Sequence, residues 1–191
     1  MKKINYCCIL LLLAIWASSC AVSSERKSAA YYNKNKLAIN QLRFYFDTLY
    51  SQQPFSAGFT DRSFKYYVME VTTDTLRYIY NTEQSEAKLF ETIKKFNYDA
   101  DILRKMATKM KEIKCLWLDK SSFYIDNKKE TVTFFSFKSV LVDKPFTENK
   151  YYTLIFLDKP IEHPAIKARV TKGELVKIND LVYFTIANHF R

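Results

Sequence analysis

The chain has 191 residues and a net charge of +10, and it holds two glycines, Gly58 and Gly173, too few for the loops that cradle phosphates or dinucleotides with closely approaching backbone. The positive excess favours acidic partners such as lipid headgroups or acidic proteins. Its lysines are scattered, with no block longer than Lys94-Lys95 or Lys128-Lys129, as on a solvated surface.

The N-terminus has three parts. Met1-Lys2-Lys3 brings two positive side chains, Cys7 to Ala17 form an apolar run of eleven residues, and Ser18 and Ser19 close it with small side chains. This is the layout of an export signal. The apolar run is shorter than the roughly 20 residues a spanning helix needs.

Ala17-Ser18-Ser19-Cys20 resembles the lipobox of bacterial lipoproteins, although that class prefers Leu at the position of Ala17. The resemblance implies cleavage before Cys20 and acylation of its thiol by palmitate-type chains, so that Cys20 becomes the membrane anchor. Each buried methylene contributes about 0.8 kcal/mol, so two or more chains hold firmly where one binds reversibly. The expected organisation is a signal peptide at 1–19, a lipidated cysteine with a flexible tether at 20–30, and a single domain at 31–191. Ala21, in place of the Asp that marks inner-membrane retention in enteric bacteria, points to the outer membrane. The Lys-, Asn-, Tyr- and Phe-rich composition resembles that of Bacteroides-like lipoproteins. Their surface-exposed members carry an acidic cluster near the cysteine, whereas Glu25 here stands beside Arg26 and Lys27; a periplasm-facing domain is expected. In that compartment nucleic acid is not an expected partner.

Cleavage removes Cys7 and Cys8 and leaves 172 residues, a comfortable size for one hydrophobic core. It also removes Lys2 and Lys3, so the charge falls from +10 to +8. With Cys20 lipidated, Cys115 is the one remaining thiol, so the core alone must hold the domain. Cys115 lies in Cys115-Leu116-Trp117-Leu118 and reads as a buried small hydrophobe.

Residues 31–53 repeat apolar side chains at helical spacing through Ala38, Leu42, Tyr45 and Leu49, widened by Ile39 and Phe46. Pro54 stops the helix, and 55–60, containing Gly58, reads as a loop. Residues 64–80 are rich in Tyr, Val, Thr and Ile and predict a β-hairpin turning near Thr72-Thr73-Asp74-Thr75. Asn81 and Gln84 read as a helix cap before Leu89, Phe90, Ile93 and Phe96. A second helix is predicted over 101–113, with Leu103, Met106, Met110 and Ile113 inward and the methionines as core filling.

From there the pattern is β. Strands are predicted at 116–118, 123–126, 131–142 and 151–157, with Asp126-Asn127-Lys128-Lys129 as a turn. Pro160 and Pro164 bracket an irregular loop. Strands at 168–171, 174–178 and 181–187 then alternate with turns at Lys172-Gly173 and Asn179-Asp180, forming a meander. The fold class is α+β, with N-terminal helices packed on a curved antiparallel sheet.

Signatures of catalysis are weak. His163 and His189 have no metal-ligand spacing, and neither a zinc-binding helix motif nor a cofactor motif is present. Ser85-Glu86-Ala87-Lys88 fits a Ser-x-x-Lys pattern, but Ser24-Glu25-Arg26-Lys27 in the tether fits as well, and the companion motifs of the penicillin-binding proteins are missing. Asp99 with Asp101, and Glu83 with Glu86, could form paired carboxylates, yet both pairs sit at helix starts where acids stabilise the dipole.

The aromatic doublets Tyr66-Tyr67, Phe134-Phe135 and Tyr151-Tyr152 place one ring on each side of a strand, so one ring faces outward unless both sheet faces are covered. The leading expectation is a non-catalytic accessory lipoprotein binding an envelope protein through such rings and nearby lysines. The alternative is a ligand-binding module for a small molecule, glycan or lipid. Its architecture resembles NTF2-like and cystatin-like folds without sharing a motif, and it predicts a pocket lined by Phe90, Phe135 and Phe156. An envelope hydrolase is the third reading.

Overall fold

A computed structural model describes residues 6–61, 63–74, 77–81, 86–140 and 150–187. The chain divides into two units, Met1–Lys34 and Asn35–Arg191. In the first, residues 6–34 are the opening part of helix α1 (Tyr6–Tyr50). Residues 20–30 are therefore helical where the sequence predicts a flexible tether. That stretch contains neither Gly nor Pro, and its Ala, Glu, Arg and Lys all favour helix. Among the described residues, no helix is long and apolar enough to cross a membrane.

The second unit is α+β. Its described residues form one antiparallel sheet of eight strands in the order β3-β2-β1-β4-β5-β6-β8-β7. The strands are β1 (Phe55–Phe59), β2 (Tyr67–Thr72), β3 (Arg77–Asn81), β4 (Trp117–Ile125), β5 (Lys128–Val140), β6 (Lys150–Leu157), β7 (Val176–Asn179) and β8 (Val182–Ala187). Helices α2 (Glu86–Lys95) and α3 (Ala100–Glu112) connect β3 to β4, and α4 (Pro164–Thr171) lies between β6 and β7.

Residues directly opposed in an antiparallel ladder share a face, so register assigns the two sides. Phe55 opposite Val71, Ala57 opposite Leu118, Leu118 opposite Phe135, and Phe135 opposite Leu154 mark one face. On α1, Ile39, Leu42, Phe46 and Leu49 are fully buried, and Leu103, Met106 and Met110 are the buried stripe of α3. Each such side chain contributes about 1.5–3 kcal/mol on burial, whereas the Asp99 cap of α3 contributes about 1 kcal/mol. Burial, more than capping, therefore holds α3 in place. The Phe46 ring meets Phe55 at 5.1 Å, and Lys120 Nζ reaches Asp47 Oδ1 at 2.7 Å, joining α1 to β1 and β4.

On the other face, α4 covers the part formed by β5, β6 and β8. Val132, Leu157, Leu175 and Tyr183 form a second apolar cluster, against which Phe134, Ile155, Ile166 and Val170 pack. This explains Phe134-Phe135: Phe135 enters the main core while Phe134 is half-covered on the α4 side.

Three local readings differ from the structure. Residues 55–59 are a fully buried strand rather than a loop. A strand covered on both sides needs small residues where neighbours press closely, and Gly58 lies against Trp117 for that reason. Residues 168–171 are helical, not a strand, so the region is no simple meander. His163 caps α4 by accepting the Ala165 N–H on Nδ1 at 3.2 Å, Pro164 opens its first turn, and Gly173, with φ +73°, follows its end. Finally, the strands predicted at 116–118 and 123–126 are one strand, β4, whose ladder with β5 runs without a break from Trp117 to Ile125.

Candidate functional site

An open cleft of about 350 Å³ lies between α2, α3 and the β1–β2 end of the sheet. Phe59 and Tyr67 form its floor, and Leu89 and Ile93 of α2 form one wall. Ala100, Leu103 and Ala107 of α3 form the other. Lys65, Arg104 and Lys111 stand at its rim, all three exposed.

The sequence builds this cleft in a traceable way. α2 ends at Asn97 in the left-handed region (φ 55°), with Tyr98 N–H donating to the Ile93 carbonyl at 3.0 Å. Asp99 then starts α3 by accepting the Asp101 and Ile102 N–H groups at 2.8 and 3.0 Å. This corner joins the two helices that wall the cleft. Small side chains at Ala100 and Ala107, one helical face apart from the bulky Met106 and Met110, leave space above Tyr67.

The floor rings are fixed. Phe59 packs against Tyr67 at 5.3 Å and Phe64 at 5.1 Å, each edge to face. Lys111 Nζ lies 5.4 Å from the Phe59 ring centroid, a cation–π placement. Burial pushes the Tyr67 phenol far up, with a smaller contribution from Tyr98, so it stays protonated.

At the mouth, the Asp61 carboxylate accepts backbone N–H groups of Lys65 at 2.9 Å and Tyr66 at 2.7 Å and the Ser63 hydroxyl, which holds the turn that presents Lys65. Burial acts to raise the Asp61 pKa, but these hydrogen bonds outweigh it, and the group titrates below the usual carboxylate value. Arg104 is partly neutralised by Asp101 at 2.8 Å. The charged side chains lining the cleft, among the described residues, are cations.

A second cavity, of about 210 Å³, lies under α4 against Val132, Phe134, Ile155 and Tyr183. Its rim cation, Arg169, is paired with Glu174 at 3.3 Å.

The residues singled out in the sequence are dispersed. Cys20 lies on α1 in the first unit. Asp99 and Asp101 serve the start of α3 as cap and as partner of Arg104, and His163 is the cap of α4. Glu86 begins α2, while Glu83, Ser85 and His189 fall outside the described residues. Cys115 is buried, its thiol pushed far up by burial and donating to the Trp117 carbonyl at 3.5 Å. Among the described residues, no group of three or more His, Cys, Asp or Glu is placed to hold a metal ion.

The pocket predicted around Phe135 and Phe156 is closed. Their rings pack at 4.8 Å, both are buried, and the Arg43 guanidinium covers Phe156 at 5.0 Å. The Phe90 side chain lies outside the described residues. The open space sits instead at the other end of the helix layer. Its signals in the sequence are the small Ala100 and Ala107 of α3 beside Arg104 and Lys111, a pattern that any solvated helix also shows, and Lys65 in a distant turn.

The chain matches no family model, no curated protein and no solved structure.

Proposed function

We propose that this chain is a lipid-anchored protein of the cell envelope, and that its folded unit is a non-catalytic binding domain with the α2–α3 cleft as its site. One observation carries the binding reading: an apolar hollow of ligand size, open to solvent and rimmed by cations. The lipobox-like Ala17-Ser18-Ser19-Cys20 supports the anchor, Ala21 supports the outer membrane, and the lone Glu25 beside Arg26 and Lys27 supports a domain facing the periplasm.

A photoreactive amino acid placed at Arg104 in the full chain, in intact cells, tests the reading. Arg104 stands at the cleft mouth, whereas Lys128 lies exposed at the β4–β5 turn and serves as a control. Adducts at Arg104 that exceed those at Lys128, and that disappear with Ala107→Trp filling the cleft, support it. Equal adducts at both positions overturn it.

A second reading has its own observation. Leu37 and Phe44 are 81% and 66% exposed and stand seven residues apart on one side of α1, the spacing of a helix that docks against a partner. Photoreactive residues at these two positions distinguish a protein partner there from a ligand in the cleft.

A further inference from the structure

The cleft has a chemistry as well as a shape. Its floor and walls are apolar, so they favour a hydrocarbon over a sugar, which would leave hydroxyl groups without partners. Its rim carries three cations from two elements: Lys65 from the β1–β2 turn, and Arg104 and Lys111 from one face of α3, seven residues and two helical turns apart. Of two nearby acids, Asp61 is engaged with the N–H groups of its own turn, whereas Asp101 pairs with the rim cation Arg104 and offsets part of its charge. Among the described residues, Lys65 and Lys111 stand in no ion pair, while Lys109 is turned to Glu112. At about 350 Å³ the hollow is at the small end of ligand sites, which typically run from about 300 to 1,000 Å³. It suits one chain rather than the paired chains of a bilayer lipid.

Resting on the reading of this unit as a binding domain, we propose that the cleft binds a single-chain anionic amphiphile, a long-chain carboxylate. Its hydrocarbon lies over Phe59, Tyr67 and Leu103, and its carboxylate meets Lys65, Arg104 and Lys111. The flat carboxylate suits the Arg104 guanidinium, which binds such groups through two parallel N–H donors once it exchanges Asp101 for the ligand. Lys111 already lies over Phe59, so the carboxylate and the ring approach the same ammonium from two sides.

The test uses the full lipidated protein held in phosphatidylcholine vesicles, with a diazirine-bearing palmitate as probe and the matching uncharged alcohol as control. Label is mapped by peptide mass spectrometry. The expected result is palmitate label on peptides carrying Phe59, Tyr67 and residues 100–111, displaced by unlabelled palmitate, with much weaker labelling by the alcohol. Lys65→Glu and Lys111→Glu, both at exposed positions, should each weaken binding about ten-fold or more, as the loss of one charge-assisted contact does, and Lys65→Glu does so without touching the core ring Phe59. Ala107→Trp should remove the label while the protein keeps its melting transition. The proposal is overturned if the alcohol labels equally, if charge reversal changes nothing, or if label falls outside the cleft. Should that happen while the Arg104 adducts in cells still depend on an open cleft, the amphiphile is wrong and the binding domain stands. Should both signals fail together, both readings fall.

Discussion

Gly58 should tolerate no side chain. It sits in β1, an interior strand between β2 and β4, opposite Trp117 of β4. A Cβ built there would meet the Leu116 carbonyl oxygen and the Trp117 ring at 2.2 Å each. Backbone cannot swing aside as a flexible side chain can, so Ala would push β1 and β4 apart. Overpacking of this kind costs about 1–3 kcal/mol. The Phe59 N–H to Leu116 carbonyl bond, 2.8 Å long, would be strained or lost, adding about 0.5–1.5 kcal/mol. A total near 2–4 kcal/mol lowers Tm by roughly 5–15 °C in a domain of this size. Gly173→Ala is the internal control. Nothing lies within 4 Å of its added methyl, and only the positive φ opposes the change, at about 1 kcal/mol. Thermal unfolding followed by circular dichroism compares the two. If Gly58→Ala melts within about 2 °C of wild type, or less harmfully than Gly173→Ala, the close approach of β1 and β4 is refuted.

Other positions give independent checks. Met106→Ala should cost about 2–5 kcal/mol in urea unfolding, because the methionine is fully buried beneath α3, whereas Leu37→Ala on the exposed side of α1 should change stability by less than about 0.5 kcal/mol. The depressed pKa of Asp61 stabilises the β1–β2 turn above its unfolded value of 3.8. That contribution should fade as pH falls below 3.8 through the folded value, seen as faster amide exchange at Lys65 and Tyr66 that Asp61→Asn shows already at neutral pH. Cys115 should resist maleimide in the native protein and react fully in urea, since burial both hides the thiol and suppresses its thiolate. Rapid native labelling would place it outside the core.

The parts of the fold legible in the sequence were those with strong periodicity. The helix through Leu42 and Leu49 and the inward face Leu103, Met106 and Met110 stand where spacing puts them, and the turn predicted at Asp126-Asn127-Lys128-Lys129 is shorter, Asp126-Asn127, with both lysines in β5. The misread segments obey rules that act between distant residues. Phe55, Ala57 and Phe59 alternate as a strand should, but Pro54 and Gly58 masked the pattern until Trp117 explained the glycine. Helix α4 buries no residue fully, so it left little apolar rhythm to read; its evidence was its ends, His163-Pro164 and Gly173. The cleft was least legible of all. It depends on the angle between α2 and α3 set by Asn97 and Asp99, and spacing within one helix carries no information about that angle.

Native mass spectrometry of the protein released gently from its own envelope, beside an Ala107→Trp variant, tests the anchor and the cleft together. The expected species is a chain beginning at Cys20 and carrying acyl groups, together with a second, dissociable mass of an amphiphile that the variant lacks. A chain that still begins at Met1 would contradict the anchor, and a bound mass unchanged by Ala107→Trp, or none at all, would contradict the cleft as the binding site.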